Sequence, residues 1–240
     1  MKIQRKDILT VPIKFDFQCL RASNWEAWVD QELADETFCG LLKQAGVLQV
    51  ILISRSLSVY RDTESLCQLV RRWCPSTHTF FFTHGELTVT LEDIENHWRL
   101  PILGDCDPSE VELSPAEIKA EVVLLDYVGK KNVSLGTNAA RLTTWPRAFF
   151  GEKDPTLRRA AFVIYWLSKC VFGEYPSYAV KPLYFRLAVK ISTGTSFPLA
   201  AMFLGHFYTQ LDLLHADEMS GDSCHIVATD FNSSVLQAFL

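Results

Sequence analysis

The run Ala160–Leu167, AAFVIYWL, is the longest uninterrupted apolar stretch in the chain and constrains its fold most strongly. It falls far short of the roughly 20 residues needed to cross a bilayer. Asp154-Pro155 ahead of it is a helix start, with a capping carboxylate followed by a proline that fits the first turn. The pattern continues through Ser168-Lys169-Cys170-Val171-Phe172 to Gly173. The segment therefore reads as a helix that is apolar nearly all round. Such a helix has no face to give to water, so other elements must surround it. A chain of 240 residues is long enough to provide that shell as one large domain or two small ones.

Amphipathic segments that could form the shell are visible on both sides. Trp25, Trp28, Val29 and Leu33 recur at helical spacing. A second helix is expected from Thr37 to Ala45, stopped by Gly46. Val47–Ile53 is apolar but short and fits helix or strand. From Asp62, the residues Leu66, Leu69, Val70 and Trp73 share a face, and Pro75 is read as the stop. Ser114-Pro115-Ala116-Glu117 is a capping box followed by Ile118, Val122 and Leu125 on one face. Helices are also expected from Lys181 to Thr193, from Ser196 and Pro198 through Leu214, and after Asn232. Gly129–Pro146 reads as the longest loop and as the place where two lobes would meet, and Ala216–Ser223 reads as a polar loop. The last helix reaches Leu240 in mid-pattern, which suggests a domain cut near its C-terminal end.

The period changes between Thr79 and Thr90. TFFF and LTVT flank T-H-G-E, which predicts a small β-hairpin with Gly85 supplying a positive φ. Leu87 and Val89 are expected to share one face. Thr90 then caps a helix carrying Leu91, Ile94 and Trp98, with Asp93 completing a capping box and Leu100-Pro101 ending it. The expected fold class is thus mainly α, a single domain of about eight to ten helices with one small hairpin near Gly85.

Composition narrows the function classes. The net charge is −5, with 23 basic and 28 acidic residues, which argues against a broadly basic nucleic-acid sleeve. Five tryptophans, Trp25, Trp28, Trp73, Trp98 and Trp166, fall on apolar faces and read as core rather than as base-stacking platforms. The seven cysteines lie at 19, 39, 67, 74, 106, 170 and 224 without a C-x-x-C pair, so they read as reduced, buried thiols. The N-terminal segment is broken by Asp7, Pro12, Lys14 and Asp16 and lacks the apolar core of a signal peptide.

Each candidate for chemistry has a plainer structural reading. Glu86, Glu92 and Asp93 could be paired carboxylates, yet a turn and a helix N-terminus account for all three positions. His215, Asp222, Cys224 and His225 are residue types that bind zinc or form a Cys–His nucleophile pair, but their spacing matches no structural zinc pattern. Arg71, Arg72, Arg158 and Arg159, with Arg61 and Arg186, would make a basic patch only if the fold gathers them. No phosphate-loop, dinucleotide or nucleophile-elbow motif is present.

The stretch from Trp73 to Gly104 carries a specific pattern: T-H-T-F, then G-E-x-T-x-T-L-x-D, then L-P-I-x-G. Its residues are Thr77, His78, Thr79, Phe80, Gly85, Glu86, Thr88, Thr90, Leu91, Asp93, Leu100, Pro101, Ile102 and Gly104. Together with FVIYWLSKCVF, the Pro182-Leu183 helix start, FLGHFYTQLDLL and the segment from Gly221 to Leu240, it resembles the plant mobile domain family over nearly the whole chain. That family is found in transposable elements and in host genes derived from them. The resemblance implies a nuclear factor of genome maintenance, meristem upkeep and transposon silencing. A partner of the phosphoprotein phosphatase class is also implied. The family's "aminotransferase-like" label has no support in these residues, since no pyridoxal-phosphate cup is visible. The expected function is a non-enzymatic protein-interaction domain without a cofactor. The alternatives are a transposon-derived nucleic-acid-binding domain and a metal-dependent or Cys/His hydrolase.

Overall fold

In the computed structural model, residues 12–15, 24–135, 141–220, 227–229 and 231–239 are described. The chain begins with a short strand, β1 (Ile13–Phe15), and four helices, α1 (Trp25–Leu33), α2 (Glu36–Gln44), α3 (Leu48–Ser56) and α4 (Thr63–Val70). Strands β2 (Trp73–Cys74), β3 (Thr79–Phe82) and β4 (Gly85–Leu87) follow, then α5 (Leu91–Trp98) and α6 (Pro115–Leu135). The second half holds α7 (Trp145–Phe149), α8 (Pro155–Trp166), α9 (Phe185–Ser192), α10 (Leu199–Ser220), β5 (Val227–Thr229) and α11 (Ser234–Phe239). The fold is mainly α, as the periodicities predict.

Local chemistry sets many of the boundaries. Asp35 Oδ1 accepts from the backbone N–H groups of Thr37 and Phe38 at 3.0 and 3.2 Å, starting α2. Gly46 adopts φ +74° between α2 and α3, a conformation that favours glycine. Asp62 caps α4 in the same way. Around Ser114 the capping box is complete: Ser114 N donates to Glu117 Oε2 at 2.7 Å and Glu117 N to Ser114 Oγ at 3.4 Å.

The apolar run lies at the centre. Leu157 and every residue of Ala160–Leu167 are buried. Phe162 stacks on Trp25 at 4.9 Å and meets Trp28 and Phe38 edge-on at 5.5 and 6.0 Å. After Trp166 the helix loosens into a π-helical turn, Leu167–Phe172, that ends at Gly173. Its carbonyls at Cys170 and Val171 accept from Asn232 Nδ2 at 3.1 and 3.0 Å. Asn232 Oδ1 in turn accepts from Ser234 N, so one buried amide caps α11 and serves the π-turn together. β1 and β5 form a parallel pair, with Ile13 opposite Val227.

Several expectations are corrected. Gly129–Pro146 is not one loop: α6 continues to Leu135, α7 begins at Trp145, and residues 136–140 lie outside the described set. The buried core cluster includes residues on both sides of this segment, from Ile13 to Leu236. Ala216–Ser220 is the end of α10 rather than loop. The helix before Pro75 ends at Val70, and Trp73 lies on a strand that joins the hairpin as a third member. On the strand after the turn, Val89 is buried while Leu87 is exposed, because β4 ends between them. The described cysteines 39, 67, 74, 106 and 170 are free thiols, but only partly buried.

Helix α6 carries its shared apolar face of Ile118, Val122 and Leu125 on the outside. Ile118, Val122 and Leu125 are 47%, 56% and 41% exposed, whereas Ala120, Leu124 and Val128 are buried. This helix is apolar on two arcs, and periodicity cannot say which one faces inward. The ion pairs do: Lys190 Nζ meets Glu117 Oε2 and Arg186 Nε meets Glu121 Oε1, both at 2.9 Å. They dock the Glu117 side of α6 on α9.

Candidate functional site

The motif residues from Trp73 to Gly104 lie along α10 in reverse order. At one end, Asp212 brackets two rings: Trp73 Nε1 donates to Oδ1 at 2.7 Å and His78 Nε2 to Oδ2 at 3.2 Å. One turn back, Tyr208 Oη donates to Val89 O at 2.6 Å and lies 3.0 Å from Thr88 Oγ1. Near the N-terminus of α10, Ala200 N donates to Pro101 O at 2.9 Å, and Asp105 N to Ser196 O at 3.1 Å. Gly104 ends the strap. A Cβ there would stand 2.4 Å from Phe197 Cα, so only glycine lets the two backbones meet.

Within the strap the small polar residues are tied to one another. Thr77 and Thr79 hydroxyls are 2.7 Å apart, and Thr79 Oγ1 donates to Glu86 Oε2 across the β3–β4 ladder at 2.9 Å. Thr88 Oγ1 donates to His78 O at 2.7 Å. These bonds hold His78 at φ +52°, a region unusual for a residue with a Cβ. Gly85 takes φ +143° as the first residue of β4, opposite Phe82, one position beyond the turn centre. Thr90 and Asp93 form a full capping box, with Thr90 N to Asp93 Oδ2 at 2.8 Å and Asp93 N to Thr90 Oγ1 at 3.2 Å. Leu91 is partly buried and Leu100 buried. Phe80 is fully buried, 4.9 Å from Trp73.

The outer surface of this unit combines aromatic and polar groups. His78 lies 5.8 Å from Trp73 and 5.2 Å from Tyr208, nearly parallel to both rings, with its edge half-exposed beside Asp212. Phe81 and Leu87 stand 46% and 45% exposed on the hairpin, and Leu213 is exposed one residue after Asp212. Chemically, a carboxylate holding an imidazole is the arrangement that orients a general base. The hydrogen bond described for this ring goes to Asp212. The Cys74 thiol bonds Ser76 Oγ at 3.1 Å, and the hydroxyls of Ser76 and Thr77 pull its pKa down.

The other sequence candidates among the described residues are dispersed. His215 lies on α10, while Asp222, Cys224 and His225 fall outside the described residues. Among the described residues no group of three His, Cys, Asp or Glu could hold a metal ion. Arg71 pairs with Glu218 at 3.1 Å, and Arg72 covers the Phe82 ring at 5.2 Å. Arg158 pairs with the fully buried Glu32 at 2.8 Å, and Arg159 with Asp35. The arginines are thus committed to separate partners. Sequence reading missed a second polar cluster beneath the π-turn. There Tyr184 Oη donates to Glu174 Oε1 at 2.5 Å, and His206 Nδ1 is 3.6 Å from the same oxygen. These residues lie apart in the chain and share no motif, so only the fold brings them together.

The class defined so far is a mainly helical domain whose polar motif is strapped along one long helix, with its hydrogen bonds made within the domain. The chain belongs to the plant mobile domain family, whose model matches residues 46–240. It is similar to Protein MAIN-LIKE 2 of Arabidopsis thaliana, 26% identical over 167 residues, a match covering 66% of this chain and 24% of that protein. The chain therefore spans about a quarter of that relative's length. No solved structure matches. Helices α1 and α2 precede the matched region, yet their Trp25, Trp28 and Phe38 pack directly on α8. No single described helix is long and apolar enough to cross a membrane.

Proposed function

We propose that this domain is a non-enzymatic protein-interaction module of a nuclear factor acting in transposon and gene silencing and in genome or meristem maintenance. One observation carries the interaction reading. The polar motif groups hydrogen-bond to one another and to α10, and the unit leaves large apolar side chains exposed, Phe81 and Leu87 on the two faces of the hairpin and Leu213 on α10, with His78 half-exposed beside Asp212. Aromatic side chains beside a few fixed polar groups suit the core of a protein interface. Membership of the plant mobile domain family supports the nuclear silencing role. A phosphoprotein-phosphatase-like protein is the partner expected from that membership. The nucleic-acid alternative has less support, because Arg71, Arg158 and Arg159 are each neutralised by a carboxylate.

The test is binding of the purified chain to the purified plant phosphatase-like protein, together with the location of a fluorescent fusion in plant cells. Saturable binding that Phe81→Asp weakens about tenfold or more, with nuclear fluorescence, is the expected result. No binding by the unaltered chain, or binding indifferent to Phe81→Asp, would count against this surface. Salt-dependent binding to DNA instead would favour the alternative.

A further inference from the structure

The hairpin surface leaves the outer arc of α6 unexplained. Ile118, Val122 and Leu125 recur there at spacings of four and three, the seam of a helix pair. The next position of that seam is Gly129, exposed and with nothing within 4 Å of where a Cβ would stand. Beside the seam, on the side away from α9, Lys119 and Asp126 are both exposed. We propose that this arc is a self-association surface, on which α6 of a second copy of the chain packs antiparallel about a two-fold axis.

The seam is complementary to itself in that orientation. Antiparallel pairing sets Val122 opposite the second copy's Leu125 and Ile118 opposite its Gly129. The large side chain meets the bare position, and the two-fold axis repeats both contacts. In the same register Lys119 faces Asp126 of the other copy, giving two opposite-charge contacts per dimer, since like flanks meet across an antiparallel pair. A parallel pair would instead set the Lys119 flank against the Glu121 flank, where Arg186 already holds the carboxylate, so the two Lys119–Asp126 contacts belong to the antiparallel form. Asp126 also engages its own chain, and a carboxylate has acceptor positions for a further donor. On the other flank, Glu121 is already neutralised by Arg186 and adds little repulsion. The seam is short, well below the roughly 800 Å² per partner of a standard stable interface, so the dimer should be weak, half-formed on the order of 100 µM.

Sedimentation velocity of the full chain over a hundredfold range of concentration tests this. A monomer–dimer equilibrium is expected, abolished by Val122→Asp with unchanged circular dichroism. Lys119→Asp alone should weaken the dimer about tenfold, and Lys119→Asp combined with Asp126→Lys should restore it. Monomer at every concentration, a dimer that survives Val122→Asp, or failure of the charge exchange to rescue would each overturn the proposal. If the chain stays monomeric while Val122→Asp weakens binding of the phosphatase-like protein, the arc belongs to that partner. The self-association proposal then fails while the interaction reading stands. Loss through Phe81→Asp alone concerns the hairpin surface and is scored separately.

Discussion

The surroundings of α8 and the strap along α10 are both well packed, but they are held together differently. Around the middle of α8 ring contacts dominate, Phe162 with Trp25, Trp28 and Phe38, and Trp145 with Phe149 and Phe185, while the buried Arg158–Glu32 pair sits in its first turn. Along α10, a run of hydrogen bonds fixes the strap, from Asp212 through Tyr208 to Ala200. Non-directional burial tolerates changes that preserve volume, whereas a directional network fails when a single acceptor is lost. The polar residues of the motif from Trp73 to Gly104 lie in the second region, where their contacts are directional.

The comparison can be broken by substitution. Phe162→Ala, at the dry centre, is expected to cost about 3–5 kcal/mol, read from urea unfolding, and Phe162→Leu much less. Gly104→Ala should cost about 3 kcal/mol, because its methyl group would enter the Phe197 backbone. No conservative replacement should rescue that position. If Gly104→Ala were neutral, the close approach of strap and helix would be wrong. Asp212→Ala strands the Trp73 indole N–H and frees His78, for an expected loss of about 1–2 kcal/mol. A double-mutant cycle between His78 and Asp212 should show coupling, and additive effects would separate the two residues.

Smaller effects distinguish the regions by titration and reactivity. Burial pulls the His206 imidazole below its ordinary pKa near 6.5, with Glu174 opposing. A depressed histidine binds its proton more readily in the unfolded chain. Stability should therefore fall as pH drops below about 6.5, toward the folded-state pKa. His206→Phe should flatten that part of the pH profile, and an unchanged slope would assign it to other groups. Among the described cysteines, Cys74 should react first with iodoacetamide, since neighbouring hydroxyls lower its pKa. Desolvation raises the Cys170 thiol to about 12, so it should react last. Peptide mapping reads the order, and early modification of Cys170 would contradict it.

The sequence made one of these regions legible and hid most of the other. AAFVIYWL announces its burial because no polar residue interrupts it, and Asp154-Pro155 marks its start. The capping boxes at Thr90 and Ser114 are local, so spacing alone revealed them. The strap was visible as a motif but not as a strap. Asp212 and Tyr208 lie more than a hundred residues from Trp73 and Thr88, and no periodicity links a hydroxyl to a distant carbonyl. The inward face of α6 was hidden for a similar reason. Two apolar arcs compete on one helix, and the choice rests on Lys190 and Arg186 of α9, which the local pattern cannot contain. Ala216–Ser220 was read as loop from its polarity, although it is only the solvated end of α10.

The central claim is that the motif from Trp73 to Gly104 and helix α10 form one hydrogen-bonded unit, which carries the proposed interaction surface. Hydrogen exchange of the unaltered chain and of Asp212→Ala tests it most directly. The account predicts faster exchange in residues 73–89, which include the His78 and Phe81 amides, with α8 still fully protected. Unchanged exchange in the hairpin, or equal loss of protection in the hairpin and α8, would contradict it.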